Sequence, residues 1–257
     1  MALIRVNYYS AVLGMQRTMD VILPQRPKGA APEKVPVLYL LHGGMGDHTS
    51  WTRRSSIERY AMEKNIAVVM PSNDLGYYAD MKYGFDFFLH TAYELPRIVH
   101  EFFPSVSDRR EDTFAAGLSM GGFGAFKLGI LRPDRFAAVA SLSGALDLMW
   151  AYTGDPTAIT SVFGNIYGTA DEIAGSENDL PLQMEKLIAS GKPMPKFYMA
   201  CGTEDFLYET NVRFRDRFAG RLDLTYFEEP GTHEWGFWDR NIQRVLDWLP
   251  LGEKEGK

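Results

Sequence analysis

The segment 115-AAGLSMGGFGAF-126 places four glycines around one serine, between an apolar run and a helical pattern. Glycine inside a regular element costs roughly 0.5–1 kcal/mol relative to alanine, so a local requirement must offset that cost. Residues 117–121 match Gly-x-Ser-x-Gly, which between a strand and a helix forms a turn too sharp for side chains two residues before and after the serine. The pattern predicts that this turn exposes the Ser119 hydroxyl as a nucleophile at a helix N-terminus. The alternative is a glycine-rich turn that only packs a helix on a strand.

The flanking sequence predicts one mostly parallel sheet. The runs Leu3–Tyr9 and Arg17–Leu23 are joined by a turn glycine, which predicts an N-terminal antiparallel hairpin. Beyond them, strand-like runs alternate with helical patterns, as in a doubly wound α/β sheet with right-handed crossovers. The strands are predicted in VPVLYLL (35–41), NIAVVMPS (65–72), DTFAAGLS (112–119), RFAAVASLSG (135–144), KFYMACG (196–202) and LDLTYFEE (222–229). The helices are predicted over 53–64, 91–103, 120–133, 206–220 and 237–249.

One long connection interrupts this alternation. About fifty residues, 145–195, separate two predicted strands and contain several Gly and Pro residues but no buried strand. A connection of that length in a compact domain is usually functional or disordered. Its aromatic residues favour a packed cap, so we expect a single domain over 1–257 that carries a lid-like or cap-like insert at about 145–195.

Composition excludes several classes of protein. A net charge of −6 and an isoelectric point near 5.4 argue against a nucleic-acid-binding surface. No apolar run approaches the roughly 18–20 residues that a membrane helix needs, and the first residues lack the apolar block of a secretory signal. The single cysteine, Cys201, excludes an intramolecular disulfide and is expected to be a buried, unreactive thiol on a strand. These features predict a cytoplasmic protein.

A serine nucleophile needs a base, and the base needs an orienting acid. In folds with this turn the chain order is Ser, then Asp or Glu, then His, and His233 is the only histidine after Ser119. It lies in a predicted loop just beyond a strand, although a histidine in a loop is often only solvated. The acid should follow the preceding strand, where Glu204 and Asp205 are available; Asp205 is favoured because it lies further into the loop, although it could instead cap the next helix.

Attack on a carbonyl creates an oxyanion, which backbone amides stabilise. We expect one donor to be the amide of Met120, the residue after the nucleophile, and the other to be the amide of Gly44 in HGGMGD (42–47). His42 could instead bind a metal with Asp47 and His48. That cluster lacks a further ligand at suitable spacing, so we expect no metal and a His42 side chain that braces the loop.

Aromatic side chains near these segments could form the wall of a substrate pocket, since such pockets are mostly apolar. The candidates for substrate contact are Trp51, Tyr78 within GYYADMKYGFDFF (76–88), and Trp150 in the insert. The same rings could equally belong to the hydrophobic core.

Taken together, these segments resemble the esterase D-like branch of the α/β-hydrolases, which includes S-formylglutathione hydrolases, tributyrin esterases and some feruloyl or acetyl-xylan esterases. The likeness is greatest to the bacterial tributyrin esterases and covers most of the chain outside the insert. It rests on YYSAVLGMQRTMDVILP, LYLLHGGMGDHTSW, VVMPSNDLGYYADMKYGFDFF, ELPRIVHEFFP, GLSMGGFGAFKLGI, CGTEDFLYETN and PGTHEWGFWD.

The resemblance implies an α/β-hydrolase fold, a triad of Ser119, Asp205 and His233, and oxyanion amides at Gly44 and Met120. It also implies a preference for short-acyl ester substrates, no cofactor and frequent homo-oligomers. One departure is HGGMG at 42–46, where S-formylglutathione hydrolases tend to have Ser-Gly-Leu-Thr-Cys; this favours a simple carboxylesterase. The alternatives are a thioesterase of the S-formylglutathione hydrolase type, a feruloyl or acetyl-xylan esterase, an acyltransferase with the same triad, and a binding protein that has lost the chemistry.

Overall fold

A computed structural model describes residues 1–25, 28–29, 33–149 and 162–252. Its centre is an eight-stranded sheet with the order β1-β2-β4-β3-β5-β6-β7-β8. The strands are β1 (Ala2–Ser10), β2 (Met15–Leu23), β3 (Val37–Leu41), β4 (Ala67–Pro71), β5 (Thr113–Leu118), β6 (Ala138–Leu142), β7 (Lys196–Gly202) and β8 (Leu224–Glu229). Strands β3 to β8 pair with one another in parallel, whereas β1 and β2 form an antiparallel hairpin whose strand β2 also pairs antiparallel with β4. The predicted fold class is therefore confirmed.

Helices cover both faces of the sheet. They are α1 (Ser50–Arg54), α2 (Ile57–Lys64), α3 (Phe87–Leu89), α4 (Leu95–Phe102), α5 (Met120–Leu131), α6 (Phe163–Tyr167), α7 (Ala170–Ile173), α8 (Leu180–Ala189), α9 (Tyr208–Phe218) and α10 (Trp235–Trp248). A π-helical turn, His90–Glu94, joins α3 to α4.

The core has two layers because successive strand residues point to opposite faces of the sheet. On one face, Tyr39 packs with side chains from α4, α5, α8 and α9. On the other face, Leu40 packs with side chains from α1, α2 and α10. Strands buried on both faces read as continuous apolar runs, which is why the sequence located them so readily.

The predicted helix over 53–64 is two helices. The Ser55 hydroxyl donates to the Trp51 carbonyl at 2.6 Å, and the Ser55 backbone is extended, so α1 ends there. The carboxylate of Asp239 then accepts the Ser56 amide at 3.1 Å, just before α2 begins. The helical periodicity persists across the break because both short helices bury residues on the same side of the sheet.

The described part of the insert is fixed to helix α5 by an ion pair in which only the lysine is buried. Lys127 is fully buried on α5, and its Nζ lies 2.5 Å from Glu177 Oε1 and 2.7 Å from Asn178 Oδ1. Its ammonium also lies 4.2 Å from the centre of the Phe88 ring. Residues 150–161 lie outside the described residues, so the expectation of a lid or cap remains a prediction.

No helix within the described ranges has the length and apolar character needed to cross a membrane.

The hairpin is attached to the π-helical turn by buried polar groups. Glu94 accepts hydrogen bonds from the Ser10 hydroxyl and the Ala11 amide, at 2.5 and 2.8 Å. Nearby, the Tyr8 hydroxyl lies 2.9 Å from Nε2 of His90, a fully buried side chain. Burial lowers the pKa of His90 to about 4.

We predict that His90 makes the fold acid-sensitive. Its pKa is about 4 in the folded chain and about 6.5 when unfolded, so the unfolded chain binds more protons between these values and stability falls as pH is lowered through that range. The wild type should lose about 2 kcal/mol more unfolding free energy between pH 7.5 and pH 5 than His90→Gln does, at ~1.36 kcal/mol per pKa unit. Urea unfolding at the two pH values measures this difference; equal losses would contradict the linkage.

Candidate active site

Ser119 lies between β5 and α5 in a strained backbone conformation, with φ 53° and ψ −118°. Positive φ is uncommon outside glycine and persists where the surrounding structure imposes it. A Cβ on Gly121 would lie 2.5 Å from the Leu41 carbonyl oxygen and 2.6 Å from that of His42. A Cβ on Gly117 would collide with the backbone of Gly121. The glycines therefore let the turn pack against the end of β3, which is the close approach that the sequence pattern predicts.

Asp205 and His233 come together from the loops after β7 and β8. Nδ1 of His233 lies 2.8 Å from Oδ2 and 3.0 Å from Oδ1 of the buried Asp205 carboxylate. Oδ1 also accepts the Leu207 amide at 2.8 Å, which fixes the carboxylate. Glu204, the alternative acid, instead accepts the Gly231 amide. The structure thus pairs His233 with Asp205.

Two aromatic rings enclose the imidazole of His233. The Phe206 ring centre lies 4.5 Å from it, and the Trp238 ring packs against it at 4.9 Å and nearly perpendicular. The indole N–H of Trp238 donates to the Ser143 hydroxyl at 3.1 Å, which anchors that ring to the end of β6. The imidazole is therefore held by packing as well as by its hydrogen bond to Asp205.

Ser119 and His233 line one cavity of about 760 Å³. Among the described residues, no hydrogen bond joins their side chains. The lack of this hydrogen bond does not exclude a catalytic pair, since catalytic hydrogen bonds are often long before substrate binds and tighten in the complex.

Of the two proposed oxyanion donors, Gly44 lines this cavity and Met120 directly follows Ser119, which also lines it. Met120 is the first residue of α5, where backbone amides have no intrahelical acceptor. Within the described residues, no hydrogen bond engages the amide of Gly44 or of Met120. Both amides are therefore free to donate.

His42 braces the loop that carries Gly44. Its Nδ1 donates to the Gly43 carbonyl at 2.8 Å, and its Nε2 accepts the Asn73 amide at 2.9 Å. Burial lowers the pKa of His42, which favours the neutral ring that this pair of bonds requires. The hydroxyl of Tyr78 donates to the His42 carbonyl at 3.0 Å.

Asn73 belongs to this support, and the sequence analysis missed it. Its Oδ1 accepts the Tyr78 amide at 3.0 Å, and its Nδ2 donates to the Thr91 hydroxyl at 3.1 Å. A polar SND segment directly after buried strand β4 was the available signal, because loops at the carboxyl ends of parallel strands converge on one edge of the sheet.

The metal alternative finds no support. Both ring nitrogens of His42 face backbone partners, and Nδ1 of His48 lies 2.8 Å from the Ser72 hydroxyl. The part of the chain that the structure describes contains no cluster of three or more His, Cys, Asp or Glu side chains arranged to hold a metal ion.

The aromatic wall of the cavity differs from the one expected. Trp51 and Tyr78 are almost fully buried and do not line the cavity. Trp51 donates its indole N–H to the Leu41 carbonyl and packs on Trp235, and Tyr78 donates its hydroxyl to the His42 carbonyl. Both rings therefore belong to the layer that supports the residues of the cavity wall. Trp150 lies outside the described residues. The rings that do line the cavity are Phe206, Trp235 and Trp238, which the sequence analysis did not single out.

Comparison with known proteins agrees with this architecture. The model of the Esterase family, described as "Putative esterase", matches residues 10–249. An acetyl esterase from Caldicellulosiruptor saccharolyticus is 32% identical over 266 residues, which cover 97% of this chain and 98% of that protein. Two solved structures from Staphylococcus aureus are each 33% identical and cover 98% of this chain and 99% of theirs. They are the fluorophosphonate-binding serine hydrolase FphF, with a TM-score of 0.90, and the S-formylglutathione hydrolase FrmB, with a TM-score of 0.86.

The family model covers most of the chain, and the relatives align over nearly their whole lengths on an α/β-hydrolase architecture. The chain therefore belongs to the esterase family and is a serine hydrolase of carboxylic esters.

Proposed function

We propose that this esterase hydrolyses short-acyl esters through a triad in which Ser119 is the nucleophile, His233 the general base and acid, and Asp205 the orienting carboxylate. The observation that carries the proposal is the 2.8 Å contact between His233 Nδ1 and Asp205 at the cavity that Ser119 also lines. A carboxylate on Nδ1 keeps the proton there, which leaves Nε2 free to accept the proton of the serine hydroxyl.

The reaction then follows in two halves. The Ser119 oxygen attacks the ester carbonyl while His233 takes its proton, and the oxyanion accepts hydrogen bonds from the Gly44 and Met120 amides. Each such donor contributes roughly 3–4 kcal/mol. The protonated imidazole gives its proton to the departing alcohol, which leaves an acyl-serine. Water, deprotonated by His233, then attacks that acyl group; the bond between the acyl carbon and the Ser119 oxygen breaks, the imidazolium returns the proton to that oxygen, and the carboxylic acid leaves.

The preference for a short acyl group is supported by the acetyl esterase relative and by the resemblance to bacterial tributyrin esterases. Phe206, Trp235 and Trp238 supply an apolar wall that suits a small acyl or alcohol group. We also propose that the chain forms homo-oligomers, as the resemblance implies; light scattering on the purified protein tests this.

A second candidate is the thioesterase reaction, because FrmB is named an S-formylglutathione hydrolase at the same identity as FphF. That relative reduces the weight of the HGGMG departure as an argument against thioester hydrolysis. Feruloyl or acetyl-xylan ester hydrolysis and acyl transfer would use the same acyl-serine, and they differ only in the alcohol released or the acceptor used.

Ser119→Ala should lower kcat for p-nitrophenyl acetate by on the order of 10⁴-fold or more, because no other group replaces the nucleophile. It should also abolish labelling by a fluorophosphonate probe. The melting temperature should stay close to that of the wild type, since the substitution removes only the hydroxyl of a half-buried side chain and leaves the turn intact. Substantial residual turnover would exclude Ser119 as the nucleophile.

Asp205→Asn should lower kcat by roughly 10³–10⁴-fold with little change in KM, because the amide no longer holds the required imidazole tautomer. Glu204→Gln is the matched control. It makes the same change at the neighbouring carboxylate, retains an acceptor for the Gly231 amide, and should keep kcat near the wild-type value. Comparable losses of kcat in the two variants would show that any change in this loop lowers activity, and would contradict a specific role for Asp205.

Substrate profiling should show kcat/KM falling from acetyl to octanoyl p-nitrophenyl esters, because the proposed substrates are short. A matched pair of ethyl acetate and S-ethyl thioacetate compares oxygen esters with thioesters, and added methanol reveals acyl transfer. Higher kcat/KM for the long acyl chains would contradict the proposed preference, and a large excess for the thioester would favour the second candidate.

A further inference from the structure

Two arginines lie on the wall of the active-site cavity. Arg53 and Arg54 form the end of α1, and together with Ser50 they present one face of that helix to the cavity that contains Ser119. Residues three and four apart share a helix face, so this placement follows from the helix itself.

Within the described ranges, neither guanidinium has a carboxylate partner. Among the described residues, no Asp or Glu oxygen lies within 4.0 Å of Arg53 or Arg54. Many arginines elsewhere on the molecule are paired, as Arg17 is with Asp74 and Arg132 with Asp134. Arg54 lies 5.9 Å from the centre of the Trp235 ring, a contact that positions its cation beside the aromatic wall.

Two acidic residues line the same cavity. Asp47 is already engaged, because its Oδ1 accepts the Thr49 amide at 2.8 Å and the Thr49 hydroxyl at 2.6 Å. Glu234 is an exposed residue at the start of α10, and it lies beyond ion-pair distance of both arginines. The two guanidinium groups therefore keep their donors available to a ligand.

The placement is notable because the protein carries a net charge of −6 and so repels anions at long range. A guanidinium offers five N–H donors in a planar fork that matches a carboxylate. Two of them beside the site of ester cleavage would offset that repulsion locally.

We propose that the preferred ester carries a carboxylate away from the scissile bond and that Arg53 and Arg54 bind it. This inference rests on the proposed ester hydrolysis at Ser119 and adds a charge requirement to it. The carboxylate could belong to the acyl part or to the alcohol part, and the two are tested separately.

Two pairs of esters differ only in whether they carry a carboxylate or a neutral carboxamide. In 4-acetoxybenzoate and 4-acetoxybenzamide this group is on the leaving alcohol. In monomethyl succinate and methyl succinamate it is on the acyl part. In one of these pairs, Arg53→Gln with Arg54→Gln should lower kcat/KM for the anionic ester at least tenfold more than for the neutral ester, mainly through KM. The wild-type preference should also weaken as sodium chloride is raised from 20 to 300 mM.

Arg59→Gln is the matched control. Arg59 is an exposed arginine on the neighbouring helix α2; it has no carboxylate within ion-pair distance among the described residues and does not line the cavity. It removes one positive charge, as each of the single variants Arg53→Gln and Arg54→Gln does, and it should leave the anionic-to-neutral ratio unchanged.

The possible failures are distinguishable. If the wild type cleaves the neutral esters but the double variant changes neither ratio by more than twofold, the inference is overturned and the proposed hydrolysis stands. If the wild type cleaves none of the four esters and no p-nitrophenyl acetate, the proposed hydrolysis itself fails. Should the double variant not fold, as circular dichroism would show, the single variants carry the same comparison, and each should reduce the ratio at least threefold.

Discussion

The active site depends on a close backbone approach between the turn at Ser119 and the end of strand β3. A side chain on Gly121 would meet the carbonyl oxygens of Leu41 and His42, so glycine is what lets the two segments touch. This contact brings the start of α5 next to the loop after β3, which carries Gly44. The strain of positive φ at Ser119 is tolerated because buried neighbours hold the turn in place.

A second constraint, a set of buried hydrogen bonds, holds the loop after β3 in place beside that turn. His42 spans from the Gly43 carbonyl to the Asn73 amide, and Asn73 in turn contacts Thr91 in the π-helical turn. Residues from the ends of two adjacent parallel strands and from one helical turn thus share a buried polar network. Such networks stabilise a unique arrangement when every member has its partner, and here the network fixes the loop that carries Gly44.

The sequence predicted the strands well, because strands buried on both faces are continuous apolar runs. It also nominated Asp205 and His233, which the structure pairs, since chain order and strand ends left few candidates. It did not show whether Trp51 and Tyr78 belong to the hydrophobic core or to the cavity wall, because the sequence around an aromatic residue near a site does not reveal whether its ring faces the core or the cavity. Nor did it predict the break between α1 and α2, which depends on Asp239, a residue more than 180 positions away in the chain.

The ion pair between the buried Lys127 and Glu177 links the insert to the centre of the molecule. Because Glu177 and Asn178 are joined to helix α5, which follows Ser119, segment 162–189 is coupled to that helix, and none of its residues line the cavity. Segments 43–54 and 233–238 contribute most of the residues that line the cavity and take no part in this coupling. Exchanging these two segments between relatives would change the cavity wall and leave the coupling intact, whereas exchanging 162–189 would replace the partners of Lys127.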